Sequence, residues 1–376
     1  MESAASLMEL LEGVEDPRGA RGKRHPLSAL LLLAVVAMLS GMTSYEGIVQ
    51  FGKERGWEFR ALLGFTRRRG LCKATYSRVF RRVNVADFEA RVAQWIQGRL
   101  ESTAAPQISI DGKTARGSRD GEMPGIHLVS AYAPDVGAVL AQLRVDAKTN
   151  EHKAALELLG VLPVKGKIVT GDAMFTHRDF CAKVIEGGGD YVLPVKENQP
   201  TSRPLSPSPG PAFPPLQIGH RAGSFDRACE VDKGHGRIEK RTAEVTTWLT
   251  GYLGSDWPGC QQVYRLERVR RTHGKVEVEV EFGITSLPRE RGGAAEILHV
   301  RRGHWGIENG LHGVRDGTFR EDASRVRKGA APQVMAVIRN ILIFILKRLG
   351  HTNAAAATRH YVCNPDAALK VVSTPI

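Results

Sequence analysis

Short apolar runs separated by Gly, Pro and Asp turns occupy residues 107–196, and their order constrains the fold more than any other feature. The first three runs alternate as strands do and predict a three-stranded antiparallel meander. A helical pattern at 151–162, a strand at 167–172, a helix at 176–188 and a strand at 190–196 follow. The segment therefore predicts an α/β unit in the order βββαβαβ.

Acids stand at the ends of two of these strands. ISID ends at Asp111 and IVTGD ends at Asp172, while HWGIENGLH carries Glu308 on a predicted helix. The order βββαβαβ is that of the ribonuclease H-like fold, in which the first and fourth strands are neighbours. We therefore predict that Asp111 and Asp172 end side by side, where their carboxylates can meet without being buried unpaired.

Three carboxylates of this kind predict a metal site. Carboxylate oxygens are the hard ligands that Mg²⁺ takes while it retains waters. Two ions about 3.5–4 Å apart activate a water or a 3′-hydroxyl and stabilise the leaving oxygen of an in-line phosphoryl transfer. We expect two Mg²⁺ or Mn²⁺ ions and chemistry that supports both strand cleavage and strand joining. The chain contains no GxxxxGK[ST], HExxH or GxSxG motif, so nucleotide hydrolysis, zincin and serine-hydrolase chemistry are not indicated.

Other acids compete with Glu308 for the third position. Asp316, Glu321 and Asp322 stand close by in VRDGTFRED. Glu308 is favoured because it lies in a regular helical register, whereas Gly317 indicates that the chain turns after Asp316.

The positive charge lies at the two ends of the chain. Of the formal net charge of +13, residues 1–100 contribute 16 Lys/Arg against 10 Asp/Glu, and residues 301–376 contribute 12 against 5. Residues 101–300 carry 25 of each. Basic ends around a neutral centre indicate a polyanionic partner such as DNA, although a merely basic soluble protein has the same balance.

Composition and pattern divide the chain into four predicted regions. These are an N-terminal helical, basic, DNA-binding domain (1–104), the first part of the catalytic core (105–199), a Pro-rich linker with a β-rich insertion (200–293), and a helical end of the core with a tail (294–376). In the first region Thr75 is the predicted N-cap of a basic helix, which either lies on DNA or forms a solvated face. In the third, a hairpin turn is predicted near His273–Gly274.

The apolar stretch 27–42 raises the question of a membrane segment. It is shorter than the roughly 20 residues that span a bilayer, and its basic-then-apolar order begins too late for a signal peptide. We predict a buried helix here and a second core helix at 332–350. Five cysteines without a CxxC pair indicate a reducing, intracellular setting, and the expected location is the cytoplasm. The short apolar segments lead us to expect no membrane partner.

A set of ordered motifs carries a family resemblance over nearly the whole chain. They are DPRGARGKRHPL, IDGKTARGS, VTGDAMFTHRD, YVLPVKENQP, GHGRIEKRT, RGHWGIENGLHGVRDGTFREDASRVRKG and MAVIRNILIFIL. Each is weak alone; in this order, with 60 residues between the two Asp and 135 between Asp172 and Glu308, they are specific. The chain resembles DDE-type insertion-sequence transposases of the ISAs group, which includes the H-repeat-associated proteins. The Pro-rich stretch 201–215 departs from the Leu-rich segment usual there.

The resemblance implies catalytic and metal-binding roles for Asp111, Asp172 and Glu308. It also implies double-stranded DNA as the partner: the inverted-repeat ends of a bacterial mobile element, and target DNA. Pairing of two ends predicts a homodimer. The predicted DNA contacts are Lys113, Arg116, Lys196, Asn198, Gln199, His235, Arg237, Arg302, Trp305 and Arg315.

Several of these contacts have a structural alternative. Trp305 packs onto the sheet in the favoured interpretation and stacks on a base in the other. His235 serves as a DNA contact or a structural residue, because metal-bound water makes a general base unnecessary. Arg302 and Arg315 flank Glu308 and are expected to screen its charge and hold phosphate.

Two rival functions share the same acids. One is a ribonuclease H-like nuclease that cuts DNA without rejoining it. The other is a DNA-binding protein derived from a transposase, with the acids kept but no chemistry.

Overall fold

The computed structural model describes residues 6–19, 23–100, 106–145, 150–195, 225–234, 236–248, 250 and 256–375. The chain divides into two compact units. The first comprises Met1–Ala105, Gly112–Lys148 and Ile307–Ile376; the second comprises Pro106–Asp111 and Thr149–Gly306. The predicted region boundaries after residues 104, 199 and 293 stay predictions.

The described strands form one mixed sheet in the order β3-β2-β1-β4-β5-β9-β8-β7-β6. They are β1 (Gln107–Thr114), β2 (His127–Ala133), β3 (Ala138–Val145), β4 (Ile168–Gly171), β5 (Asp190–Val195), β6 (Phe225–Gly234), β7 (Arg237–Thr246), β8 (Gln262–Thr272) and β9 (Lys275–Thr285). This large sheet with its many helices confirms the predicted α/β class.

The α-helices found among the described residues of the second unit are α7 (Glu151–Val161), α8 (Arg178–Glu186) and α9 (Ala294–Gly306). Together with the strands they reproduce the predicted order βββαβαβ between residues 107 and 195. β4 pairs in parallel with β1 on one side and with β5 on the other. The prediction that the first and fourth strands are neighbours is confirmed.

The insertion strands extend the sheet of the second unit. β9 pairs antiparallel with β5, and β8, β7 and β6 follow in antiparallel order. Alternating patterns predicted β7 to β9 but not their attachment to β5, and the charged strand β6 was not predicted. The predicted hairpin turn is confirmed, since His273 and Gly274 both have positive φ, 43° and 79°, as a two-residue type I′ turn requires.

Helix α9 covers one face of this sheet. Ile297, Leu298 and Val300 pack with Tyr264 and Leu266 in one buried cluster. Burial of such side chains contributes about 1.5–3 kcal/mol each. The helix thereby fixes the position of its own polar residues over β1 and β4.

The first unit is mainly helical among its described residues. Its helices are α1 (Leu7–Glu12), α2 (Leu27–Leu39), α3 (Tyr45–Glu54), α4 (Gly56–Leu62), α5 (Lys73–Phe80), α6 (Val85–Gln97), α10 (Gly313–Gly317), α11 (Ala331–Arg348), α12 (Ala354–Cys363) and α13 (Pro365–Ser373). α2 and α11 are buried on nearly every side, which confirms both predicted core helices. The predicted cap at Thr75 is wrong: α5 begins at Lys73, with Cys72 as its N-cap residue.

The part of the chain that the structure describes holds no helix both long and apolar enough to span a bilayer.

Gly283 in β9 supplies a stability test of the sheet. A Cβ at this position would overlap the ring of Tyr264 and the carbonyl oxygen of Leu193. We expect Gly283→Ala to lower the free energy of unfolding by about 2–3 kcal/mol, because overpacking displaces both neighbours. The matched control is Gly234→Ala in β6, where a Cβ meets nothing within 4 Å. Equal urea midpoints for the two variants would contradict this packing.

Candidate active site

Asp111 and Asp172 occupy equivalent positions on neighbouring strands. β1 and β4 run parallel, with Ser109 beside Thr170 and Ile110 beside Gly171. The residue after this last pair is Asp111 on β1 and Asp172 after β4. Neighbouring strands lie about 4.8 Å apart. β4 ends at Gly171, directly before Asp172, whereas β1 continues to Thr114, so the predicted strand end at Asp111 is wrong. The pairing of β1 with β4 nevertheless ends at Ile110 and Gly171, which brings the first two predicted acids to one place within the second unit.

The face of the sheet that carries these acids is polar. Side chains alternate along a strand, so Gln107 and Ser109 share the face of Asp111, and Thr170 shares that of Asp172. Gln107 Nε2 donates to Ser109 Oγ at 3.3 Å, to Thr170 Oγ1 at 3.2 Å and to the Val300 carbonyl of α9 at 2.9 Å. These hydrogen bonds join β1, β4 and α9 on the same face of the sheet as the two acids, within a few residues of them.

Two buried residues of α9 reach the end of β4. His304 Nδ1 lies 3.0 Å from Thr170 Oγ1, and its Nε2 lies 3.4 Å from Asp172 Oδ1. Arg301 donates to both oxygens of Glu281, at 2.8 and 2.7 Å, and to the Gly171 carbonyl at 3.4 Å. Both side chains hold the segment that presents Asp172, whose own side chain is 59 % exposed.

Glu308 lies in an irregular stretch of the helix that follows α9. Residues Ile307–His312 are π-helical, so the expected regular register is wrong at this point. Such single-turn π segments are frequent at functional sites. Glu308 is 60 % exposed, and its Oε2 lies 3.7 Å from Nδ1 of the buried His312.

Each exposed acid therefore has a buried histidine beside it. Burial lowers the pKa of His304 and of His312, although the adjacent carboxylates oppose this. Neutral imidazoles orient Asp172 and Glu308 without cancelling their charge. Asp111 is 7 % exposed, and like Asp172 and Glu308 it offers carboxylate oxygens, the ligand type that suits a hard divalent cation.

The competing acids are committed to basic partners within the first unit. Glu321 is 2 % exposed and accepts from Arg315 at 2.9 Å and from Arg339 at 3.1 Å. Asp316 binds Lys113 at 2.7 Å, and Asp322 accepts from the Arg116 backbone amide at 3.0 Å. Among the described candidates, Glu308 is the one whose carboxylate is mostly exposed.

The predicted DNA contacts fall into different environments. Arg116 is 84 % exposed and Arg237 50 % exposed, so both present their charge to solvent. Lys113 is 9 % exposed and held by Asp316. Arg302 pairs with Glu230 and with Asp232 of β6.

Trp305 and Arg315 serve packing in this structure. The Trp305 ring lies under the guanidinium groups of Arg241 and Arg268, at 5.5 and 5.0 Å, which places it against β7 and β8. Arg315 is fully buried with Glu321, because this ion pair fills the interior of the first unit. Neither side chain presents itself to a phosphate here.

Four predicted contacts, Lys196, Asn198, Gln199 and His235, and the Pro-rich stretch 201–215 lie outside the described residues.

Sequence reasoning missed Arg301, His304 and His312. The signal was present in HWGIENGLH, where His304 and His312 stand four residues before and after Glu308 and so share its helical face. The sequence does not single out Arg301, because Arg301 and Arg302 are adjacent arginines and nothing in the pattern shows which one is buried. Only the structure distinguishes the buried arginine from the exposed one.

Comparison with known families identifies the class of protein. The family described as "Transposase DDE domain" matches residues 103–345, and the family described as "DDE_Tnp_1-associated" matches residues 8–96. The chain belongs to the DDE transposase family.

Individual relatives agree with this assignment. "Putative transposase YncI" of Escherichia coli O157:H7 is 32 % identical over 352 residues, 92 % of this chain and 88 % of the relative. "H repeat-associated putative transposase YhhI" of Escherichia coli K12 is 31 % identical over 349 residues, 90 % of each. The recognised resemblance to H-repeat-associated proteins is thus confirmed.

Among solved structures, the cryo-EM structure of a piggyBac transposase synaptic complex with hairpin DNA aligns over 91 % of this chain and 71 % of that chain. The TM-score is 0.44 and the identity 9 %. A structural similarity this weak is not evidence about the fold of this chain.

Proposed function

We propose that this transposase cleaves the inverted-repeat ends of its own element and joins them to target DNA, in a divalent-metal-dependent reaction on a ribonuclease H-like core. One observation carries the proposal: Asp111 and Asp172 follow the last paired residues of two adjacent parallel strands. The strand order β3-β2-β1-β4-β5 supports the ribonuclease H-like core.

The chain's own residues supply binding and orientation. Asp111, Asp172 and Glu308 hold the cation, which supplies Lewis-acid activation of the attacking and leaving oxygens when bound. Gln107, Ser109 and Thr170 fix the parts of β1 and β4 that present the first two acids. Arg301 and His304 hold the Asp172 segment against α9.

Glu308 is the proposed third acid because the other candidates already serve ion pairs. Removing Glu321 would take a carboxylate partner from Arg315, removing Asp316 would take one from Lys113, and removing Asp322 would take one from Arg116. The Glu308 side chain is instead 60 % exposed.

DNA binding is proposed for the exposed basic positions. Arg116 and Arg237 are accessible for phosphate contact, and such contacts position the protein without reading sequence. Lys113 and Arg302 would first exchange a carboxylate partner for phosphate. Lys196, Asn198, Gln199 and His235 keep their proposed contact role, and a homodimer is proposed for holding two ends.

The test is cleavage of a labelled duplex that carries the element's inverted repeat. We expect cutting at the repeat end with Mg²⁺ or Mn²⁺ and none with EDTA. Binding of the repeat without cutting would identify the DNA-binding rival. Cutting without any joined product would identify the nuclease rival.

His304 tests the positioning of Asp172. We expect His304→Gln to lower the cleavage rate about 10- to 100-fold, because the glutamine amide cannot reach both Thr170 and Asp172. Loss of a residue that hydrogen-bonds to a metal ligand has effects of this size. Affinity for the repeat duplex should be unchanged in a filter-binding assay. The exposed His360 supplies the control variant, His360→Gln. A His304→Gln enzyme as fast as this control would remove His304 from the site.

A further inference from the structure

A second group of metal-ligating side chains lies in the second unit, apart from the three acids. His152 is the second residue of α7, His177 is the N-cap residue of α8, and Asp179 is the second residue of α8. One ligand atom from each lies within 4.8 Å of the other two. The sequence motif VTGDAMFTHRD contains two of these residues, and the proposed function uses neither.

Hydrogen bonds hold the carboxylate of this group in place. Asp179 Oδ1 accepts from the Phe180 backbone amide at 2.9 Å, which leaves Oδ2 facing His152 Nε2 at 2.9 Å. Only one oxygen of Asp179 is therefore directed at the histidines. The His152 and His177 rings lie 4.2 Å apart between centroids, so both imidazoles meet the carboxylate at one place.

The histidines have no other structural task in the described contacts. His177 precedes α8 without capping it by its side chain. The Nδ1 atom of His152 is buried and has no hydrogen-bond partner among the described residues. A buried ring nitrogen without a hydrogen bond costs free energy, which packing of His152 alone does not explain.

The donor set selects the class of cation. Two nitrogens and one oxygen suit Zn²⁺ and Co²⁺, whereas Mg²⁺ prefers oxygen ligands alone. Around a tetrahedral Zn²⁺ with bonds of about 2.0–2.2 Å, ligand atoms lie about 3.4 Å apart. The 2.9 Å pair would open slightly, and the other two pairs lie within 4.8 Å, which is compatible with this spacing.

We propose that His152, His177 and Asp179 form a site for a borderline divalent cation of the Zn²⁺ type, with a fourth position open to water. His152 is half-buried while His177 and Asp179 are exposed, so the cation has access from solvent. The bound cation links the start of α7 to the start of α8. It thereby anchors the segment that runs from Asp172 to α8.

This site is independent of the proposed transposition chemistry. Its donors belong to different residues and a different ligand class. If the protein did not cleave DNA, the proposed His–His–Asp site would be unaffected. If that site did not bind a cation, the proposed roles of the three acids would be unaffected.

Cobalt spectroscopy on the full chain tests the site. The protein is stripped with EDTA, dialysed and titrated with Co²⁺ in excess Mg²⁺, in an Asp111→Asn, Glu308→Gln background that disables the acidic site. We expect visible d–d bands that saturate at one Co²⁺ per chain and disappear when one equivalent of Zn²⁺ is added.

Variants assign the ligands. His177→Gln and Asp179→Asn should weaken Co²⁺ binding at least about 100-fold, whereas His360→Gln should leave the titration unchanged. His177 is exposed, so its variant keeps the fold, which circular dichroism verifies. No visible bands in the parent, or bands of equal strength in folded His177→Gln, would overturn the proposal.

Discussion

Asp111→Asn, Asp172→Asn and Glu308→Gln are each expected to lower the rate of cleavage at the repeat end by at least about 10³-fold. Each change removes one negative oxygen donor from the proposed cation site. Stabilisation of the transition-state charge by bound metal is worth several kcal/mol, and about 4 kcal/mol corresponds to 10³-fold in rate. Single-turnover cleavage of the labelled duplex, at saturating protein, measures this directly.

The neighbouring acids are the controls for this experiment. Asp316→Asn and Asp322→Asn should stay within about tenfold of the parent, since both carboxylates serve ion pairs with Lys113. The exposed Asp366, in the first turn of α13, supplies a variant expected to be fully active. Cleavage that survives Glu308→Gln but is lost in Asp316→Asn would mean that the third acid is misassigned.

Glu321→Gln is expected to lower the free energy of unfolding by about 3–5 kcal/mol. Glu321 is the carboxylate that binds two buried arginines, Arg315 and Arg339, and all three are at most 2 % exposed. Neutralising one member of a buried ionic group leaves uncompensated charge in a low-dielectric interior. Two further nitrogens of Arg339, Nε and Nη2, already lack partners among the described residues, so no other acceptor relieves the loss.

An exposed ion pair is the matched control for Glu321. Asp120→Asn breaks a pair with the exposed Lys328 and should cost at most about 1 kcal/mol. Urea unfolding followed by circular dichroism compares the two. Similar midpoints would show that the Glu321 cluster does not stabilise the first unit.

The same cluster predicts a pH dependence. Burial raises the pKa of Glu321, but Arg315 and Arg339 outweigh it, so the pKa lies below the ordinary value of 4.5. A depressed folded-state pKa gives stability that is present above the unfolded pKa and is lost as pH falls through the folded value. The stability difference between the parent and Glu321→Gln should therefore be constant at neutral pH and shrink on acidification below about pH 4.5.

The strands and the positions of Asp111 and Asp172 could be predicted because local pattern determines them. Alternation and turn residues marked β1 to β5, and Asp111 and Asp172 directly followed apolar runs. The β-rich insertion was also visible as alternation. Its attachment to β5 was not, because a strand pattern specifies which face is apolar but not which neighbour it pairs with.

The interior polar groups could not be predicted from pattern. The sequence predicts a phosphate contact for Arg315 and an alternative metal ligand in Glu321, and nothing in the pattern marks either as buried, because charged side chains are seldom buried. They are buried only because they meet each other and Arg339, and that meeting depends on tertiary packing. Likewise, Gln107, Ser109 and Thr170 form a hydrogen-bonded layer that no single strand reveals.

Strand transfer from a precut end tests the central claim most directly. The substrate is a duplex that ends at the inverted repeat with a free 3′-hydroxyl, incubated with supercoiled plasmid, the protein and Mg²⁺ or Mn²⁺. We expect a covalent product that joins the repeat end to plasmid DNA, absent with EDTA and absent in Asp172→Asn. Plasmid nicking without joining, or a joined product that persists in Asp172→Asn, would contradict the assignment of these acids to transposition.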